Sequence, residues 1–424
     1  MTLHGALSII LTIKPGMKTE LKELLKKMDE DVNTNPVIPF HKMESIHFAR
    51  FVVLDIRPEI KGKEIKDCLA FTSNYDQPFD KHLDEMVTHA GLGFWQVFSH
   101  CVEFPAGNFD PETLKRFFIT KNKKAETFYV GSGNRSVNQI RRENELRNQI
   151  ENFLDTNVEE FKSKSSSEIR QEIIKFVNNN ANLNWAKTPE PKAGFAHYFK
   201  HYLKLVMALL IFIALLPIVI PFIIIWMIFF LIMEINEKDL KPKADKTHIR
   251  NLLDCETGVV QNQFSAFGNV KAGKMRNLTM MFLLRLTNFL APYLFSKGRL
   301  SGIPTVHFAR WLIISEGRQM LFLSNYDGNS EGYLRDFINI AGRQLTLMFT
   351  HTEGYPKTRL MVLGGAKDAK GFMDWARHNQ IITDVWYSAN PTLSVKNIYQ
   401  NSAIREGLYG DLNPKQTREW LQLF

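Results

Sequence analysis

A chain of 424 residues in which 45% are apolar and 12% aromatic is too long for one core and rich enough to fill two or three. Its net charge of +9 is spread over both halves without an Arg-rich block, which argues against a nucleic-acid partner and suits an anionic membrane surface. Cys68, Cys101 and Cys255 have neither disulfide nor zinc spacing, and MTLHGALSIILTIKPG lacks the basic start of a signal peptide, so exposure to the cytoplasm is expected.

The first apolar run, ALSIILTI, reads as a strand and KPG as a turn. MKTELKELLKKM follows as a helix, with Met17, Leu21, Leu24, Leu25 and Met28 recurring at three and four. IHFARFVVL and CLAFTSNY are strands, PFDKHLDEMVTHAG is a helix closed by Gly91, and FWQVFSHCVEF is expected as a final strand. Along IHFARFVVL, Phe48, Arg50, Val52 and Leu54 share one face and His47, Ala49, Phe51 and Val53 the other; neither is a solvated set. A capping box at Ser136 and Gln139 opens an added helix carrying Ile140, Leu146 and Ile150.

The pattern then recurs. HFARFVVLD (47–55) returns as HFARWLIIS (307–315), LAFTSNYD (69–76) as MLFLSNYD (320–327), and FSHCVEFP (98–105) as FTHTEGYP (349–356). The expected fold class is α+β: two tandem βαββαβ ferredoxin-like modules, each with one bare sheet face, pairing as a pseudo-dimeric α+β barrel within the chain or in a homodimer. The expected divisions are module 1 with its added helix at 1–155, a linker at 156–204, a membrane segment at 205–233, a linker at 234–256, and module 2 with its added helix at 257–424.

LVMALLIFIALLPIVIPFIIIWMIFFLIM, residues 205–233, is uninterruptedly apolar and predicts a lipid-bilayer partner. Pro217 and Pro221 at its middle admit a re-entrant hairpin or a kinked single span. Pairing within the chain needs both modules on one side, so the expectation is a hairpin bent near Pro217–Pro221 with both modules cytoplasmic. The first helix of the second copy, MRNLTMMFLLRLTNFLAPYLF (275–295), has lost its charged face. Either the linker covers it or it docks on the bilayer, admitting a lipophilic small molecule to copy two.

The polar residues held by both copies are His47 and His307, Arg50 and Arg310, Asn74 and Asn325, Asp76 and Asp327, and His100 and His351. A buried arginine needs a partner, so Arg50 is expected to fork onto Asp76 and Arg310 onto Asp327. For each residue a structural role is the first reading, and for His100 and His351 that role is a backbone hydrogen bond. No G-x-S-x-G, H-E-x-x-H, Walker loop or zinc spacing is present.

Tandem modules carrying an Arg, an Asp in SNYDG and a His resemble the dimeric α+β barrel superfamily and, within it, the dye-decolourising peroxidases with their G-x-x-D-G motif. Here Ser324 replaces the first Gly of that motif, and copy one also lacks the last, having Gln77. The resemblance implies a haem-dependent oxidoreductase in which Asp327 and Arg310 handle peroxide and His351 or His307 ligates iron, with Asp76, Arg50, His100 and His47 as the copy-one equivalents. Two alternatives stand beside it: a cofactor-free barrel enzyme with His307 or His351 as base on a lipophilic substrate, and a non-catalytic lipid-binding or scaffold protein.

Overall fold

The computed structural model describes residues 3–55, 66–189, 195–256, 260–294 and 299–424. In chain order come β1 (His4–Thr12), α1 (Lys18–Asp29), β2 (Ile46–Leu54), β3 (Cys68–Asp76), α2 (Phe79–Phe98), α3 (Pro111–Lys121), β4 (Thr127–Val130) and α4 (Val137–Thr156). Then follow α5 (Val158–Phe161), α6 (Ser166–Asn179), the long α7 (Phe195–Ile235) and α8 (Lys246–Asp254). The second series is β5 (Gln261–Asn269), α9 (Lys274–Leu294), β6 (Val306–Ile314), β7 (Gln319–Asp327), α10 (Ser330–Asn339), α11 (Gly342–Phe349), the short β8 (Thr358–Arg359) and β9 (Leu363–Gly364), α12 (Ala369–Asn379), β10 (Val385–Ser388), α13 (Val395–Tyr409) and α14 (Pro414–Leu421). Two compact units result: one from 1–144, 240–356 and 365–400, the other from 145–239, 357–364 and 401–424.

The first unit is α+β, with two antiparallel sheets ordered β1-β3-β2-β10 and β4-β6-β7-β5. Registers match between the sheets. His4 stands opposite Asp76 and Leu7 opposite Ser73, while Gln261 stands opposite Asp327 and Phe264 opposite Ser324. The short fourth strands are exchanged. β4 runs beside β6 with Phe128 across from Arg310, and β10 beside β2 with Trp386 across from Arg50. Each sheet is therefore completed by a strand from the other half of the chain.

Every residue of β2 and of β6 is buried, as their two-faced apolar pattern predicts. Ala49, Phe51 and Val53 pack with the helices through Leu21, Leu25, Phe94 and Phe98. On the opposite face, Val52, Leu54 and Ala70 form one cluster with Phe267, Leu312, Ile314, Leu321 and Leu323. The first sheet thus buries one face under helices and the other against the second sheet.

The strand expected over FWQVFSHCVEF does not form. Phe94, Val97 and Phe98 recur at three and four and all lie in the core, so the run continues α2 to Phe98. Aromatic residues read as strand formers here serve a helix face. Gly91 accordingly does not close the helix. Gly93 lets it seat closely, because a Cβ there would stand 1.7 Å from the Val37 carbonyl oxygen. The fourth strand comes later, at Thr127–Val130.

In the second unit α6 opens with a reciprocal capping box, Ser165 with Glu168. Its core joins Leu146, Ile150, Ile173, Val177, Leu183, Ile404 and Trp420. α7 runs without interruption through Pro217 and Pro221, so the expected bend between them does not occur. Four residues apart, the two prolines fall close together on the helix surface. Residues 202–235, 34 in all, are long and apolar enough to cross a membrane, and their most apolar stretch is not buried in the protein. The C-terminal turn is fixed by Glu234, whose Oε1 accepts from Thr358 Oγ1 at 2.6 Å and Met361 N at 3.0 Å.

Candidate functional site

Arg50 and Arg310 are buried, 3% and 2% exposed, on the strand faces turned toward the opposite sheet. Arg50 donates through Nη1 to the Phe264 carbonyl (3.2 Å) and Ser265 Oγ (3.1 Å), and through Nη2 to the Ser324 carbonyl (2.9 Å) and Asn325 Oδ1. Arg310 does the same in reverse, to the Leu7 carbonyl (2.7 Å), Ser8 Oγ (2.9 Å) and the Ser73 carbonyl (2.8 Å). The forks expected onto Asp76 and Asp327 are not made. Strand alternation aims each guanidinium at the other sheet, whereas each aspartate at its strand end is taken by a histidine and a helix terminus.

Burial pushes both guanidinium groups down to about 9, with the neighbouring Arg310 charge adding to the effect on Arg50. Both remain protonated at neutral pH. Carbonyl oxygens solvate them, and Asn325 Nδ2 reaches Asn74 Oδ1 at 3.5 Å between the two sheets. The space that Arg50 and Arg310 line with Thr72, Asn74 and Phe308 is about 160 Å³ and too tight for a water-sized sphere, so it cannot take a haem.

The aspartates form matching clamps. In the first sheet His47 Nε2 donates to Asp76 Oδ1 at 2.8 Å, and Asp76 Oδ2 accepts from Val137 N at 2.8 Å at the start of α4. In the second, His307 Nε2 donates to Asp327 Oδ1 at 2.6 Å, and Oδ2 accepts from Val395 N at 2.8 Å at the start of α13. A carboxylate at a helix N-terminus satisfies an orphan donor and the helix dipole together.

One residue breaks the symmetry, and strand reading from the sequence passed it over. His4 lies across from Asp76, its Nε2 2.9 Å from the Arg135 carbonyl and 3.5 Å from Asp76 Oδ1. Ligand atoms of His4, His47 and Asp76 all lie within 4.8 Å of one another, a group able to hold a metal ion. Gln261 occupies the corresponding place in the second sheet, donating to the Leu393 carbonyl and accepting from Ser388 Oγ. The apolar run that marks β1 starts at Ala6, which left His4 outside the strand; its position opposite Asp76 was the missing signal.

His100 and His351 follow α2 and α11 rather than closing a strand. Their carbonyls accept from Lys14 N and Lys271 N, each at 2.8 Å, and His100 Nδ1 meets the Gln96 and Val97 carbonyls at 3.0 and 3.2 Å. Burial, then the charges of Arg276 and Lys271, push His351 down to about 3, leaving it neutral. Asp327, Arg310 and His351 therefore have separate surroundings: the α13 terminus, the opposite sheet, and the neighbourhood of Arg276 on α9. An open cleft of about 890 Å³ borders Lys241, Lys243, His248, Asn269, Glu353 and His378 and contains none of the residues singled out by duplication. Comparison with family models, curated proteins and solved structures returns no match for this chain.

Proposed function

We propose that this is a membrane-anchored, non-catalytic scaffold or lipid-binding protein built from two duplicated ferredoxin-like modules paired as a pseudo-dimeric α+β barrel. The observation that carries the reading is α7, whose residues 202–235 are apolar on every side with their most apolar stretch outside the protein core. Such a surface is stable in hydrocarbon and not in water. Supporting it, Met275, Leu278, Phe282, Leu286 and Phe289 leave an exposed apolar stripe along α9. The absence of catalysis is supported by the shared polar residues, for Arg50, Arg310, Asp76, Asp327, His47 and His307 each hold neighbouring elements together.

The strand exchange also bears on topology. β4 precedes α7 and completes the sheet of β5–β7, while β10 follows α7 and completes the sheet of β1–β3. A crossing with residues 1–144 and 240–400 on opposite faces would tear both sheets apart. Both modules accordingly lie on one face, the cytoplasmic one, and the unbroken α7 lies along that face with its apolar surface in the bilayer instead of crossing.

Fractionation tests the anchor: the full chain stays in the membrane pellet through alkaline carbonate, whereas a chain lacking residues 202–235 is released. Release of the full chain refutes the anchor. Single cysteines placed at Asp155 and Lys246 should label alike in sealed cells, and labelling of only one from outside refutes one-sided insertion. A haem absorption band in the purified chain would refute the non-catalytic reading.

A further inference from the structure

His4, His47 and Asp76 together have the composition of a metal site, and the geometry goes further than composition. The Asp76 Oδ2 bond to Val137 N fixes the carboxylate, leaving Oδ1 toward the two imidazoles. Oδ1 lies 2.8 Å from His47 Nε2 and 3.5 Å from His4 Nε2. A tetrahedral ion with bonds of about 2.0–2.1 Å needs ligand–ligand edges of about 3.3 Å, between those two values. Both histidines are 3% exposed, and the Phe308 ring from the second sheet lies 5.6 Å from His4 and 5.3 Å from His47, walling the group with apolar surface.

The second sheet separates this from an ordinary structural contact. There the His307–Asp327–Val395 clamp is complete with Gln261 in place of His4, and Gln261 donates to the Leu393 carbonyl as His4 Nε2 meets Arg135. An amide donor therefore suffices to hold the strand end. What the imidazole at position 4 adds is a ring nitrogen that, on giving up the proton it directs at the Arg135 carbonyl, can ligate an ion beside a carboxylate and a second imidazole.

We propose that His4 Nε2, His47 Nε2 and Asp76 Oδ1 bind one divalent first-row transition ion, of the zinc or ferrous type, in the first module only. Two imidazoles and one carboxylate suit borderline cations rather than magnesium or calcium. Three protein ligands leave a further position, within reach of the Arg135 carbonyl or of water entering beside Asp76, whose side chain is 18% exposed.

The test uses the full chain in mild detergent, stripped with chelator and titrated with zinc and, as a spectroscopic probe, cobalt(II). Wild type should take up one tight equivalent, show a cobalt spectrum with nitrogen ligation, and gain thermal stability with zinc. His4→Gln, which recreates the arrangement that folds in the second sheet, should lose roughly 100-fold or more in affinity. Its unfolding temperature should no longer respond to zinc. Gln261→His should gain a second equivalent. Wild type that takes up no tight zinc, or His4→Gln that retains the full equivalent, overturns the proposal. A folded Gln261→His chain that stays at one equivalent counts against the ligand assignment.

Discussion

Replacing Asp327 by alanine removes the clamp that ties the end of β7 to β6 and to the first turn of α13. Two hydrogen bonds to a carboxylate are lost, from His307 Nε2 at 2.6 Å and Val395 N at 2.8 Å. At about 1.5–3 kcal/mol for each bond to a charged group, the gross loss is about 3–6 kcal/mol. Water can restore part of this, because the Asp327 side chain is 12% exposed, whereas the His307 side chain at 2% leaves its donor dry. The expected net cost is about 3 kcal/mol. Asp327→Asn keeps one acceptor but turns an amide donor on the other partner, and should cost about half as much. Thermal unfolding of the full chain in detergent, followed by near-ultraviolet circular dichroism, measures the difference. At roughly 2 °C per kcal/mol for a unit of this size, Asp327→Ala should melt about 6 °C lower. A wild-type melting temperature for Asp327→Ala, accompanied by loss of a measured activity, would show that the aspartate serves chemistry and would refute the clamp.

Gly93→Ala should cost at least about 2 kcal/mol and loosen α2 against residues 37–38, since the added Cβ stands 1.7 Å from the Val37 oxygen; an unchanged melting temperature would contradict this seating. His82 is stacked on Tyr75 at 4.1 Å, and burial pushes it down to about 3. Its folded value lies below its unfolded value, so the folded state binds fewer protons between about pH 6.5 and 3, and stability falls as pH drops through that window, by at most about 5 kcal/mol. His82→Tyr, copying the Tyr333–Tyr326 stack at 4.0 Å, should flatten that part of the stability–pH curve; an unaltered slope counts against a buried neutral histidine. Asp384 has the opposite sign. Burial raises it to about 6, so it takes up a proton on folding, and its contribution declines as pH rises from about 4 to 6. Asp384→Asn should therefore gain most, relative to wild type, above pH 6; a difference independent of pH would dismiss the shift.

The sequence alone determined what depends on local period and composition. The two-sided apolar runs at 46–54 and 306–314 became fully buried strands, the three-and-four spacing from Met17 to Met28 became α1, and 205–233 became a largely exposed apolar segment, though as an unbroken helix where a bend at Pro217–Pro221 was expected. Arg50 and Arg310 were recognisable as buried cations needing partners, because a strand flanked by apolar residues on both faces has nowhere wet to send them. Which partners they meet was beyond local pattern. The acceptors of Arg310, Leu7 and Ser73, lie 303 and 237 residues away, and they are reached only because the sheets face one another. The fourth strands, four residues each, carry too little periodicity to reveal which sheet they join, and the aromatic spacing of Phe94, Val97 and Phe98 suits a helix face as well as a strand. His4 was silent for the same reason: its meaning lies in the antiparallel register that sets it opposite Asp76, and register is a property of two strands together.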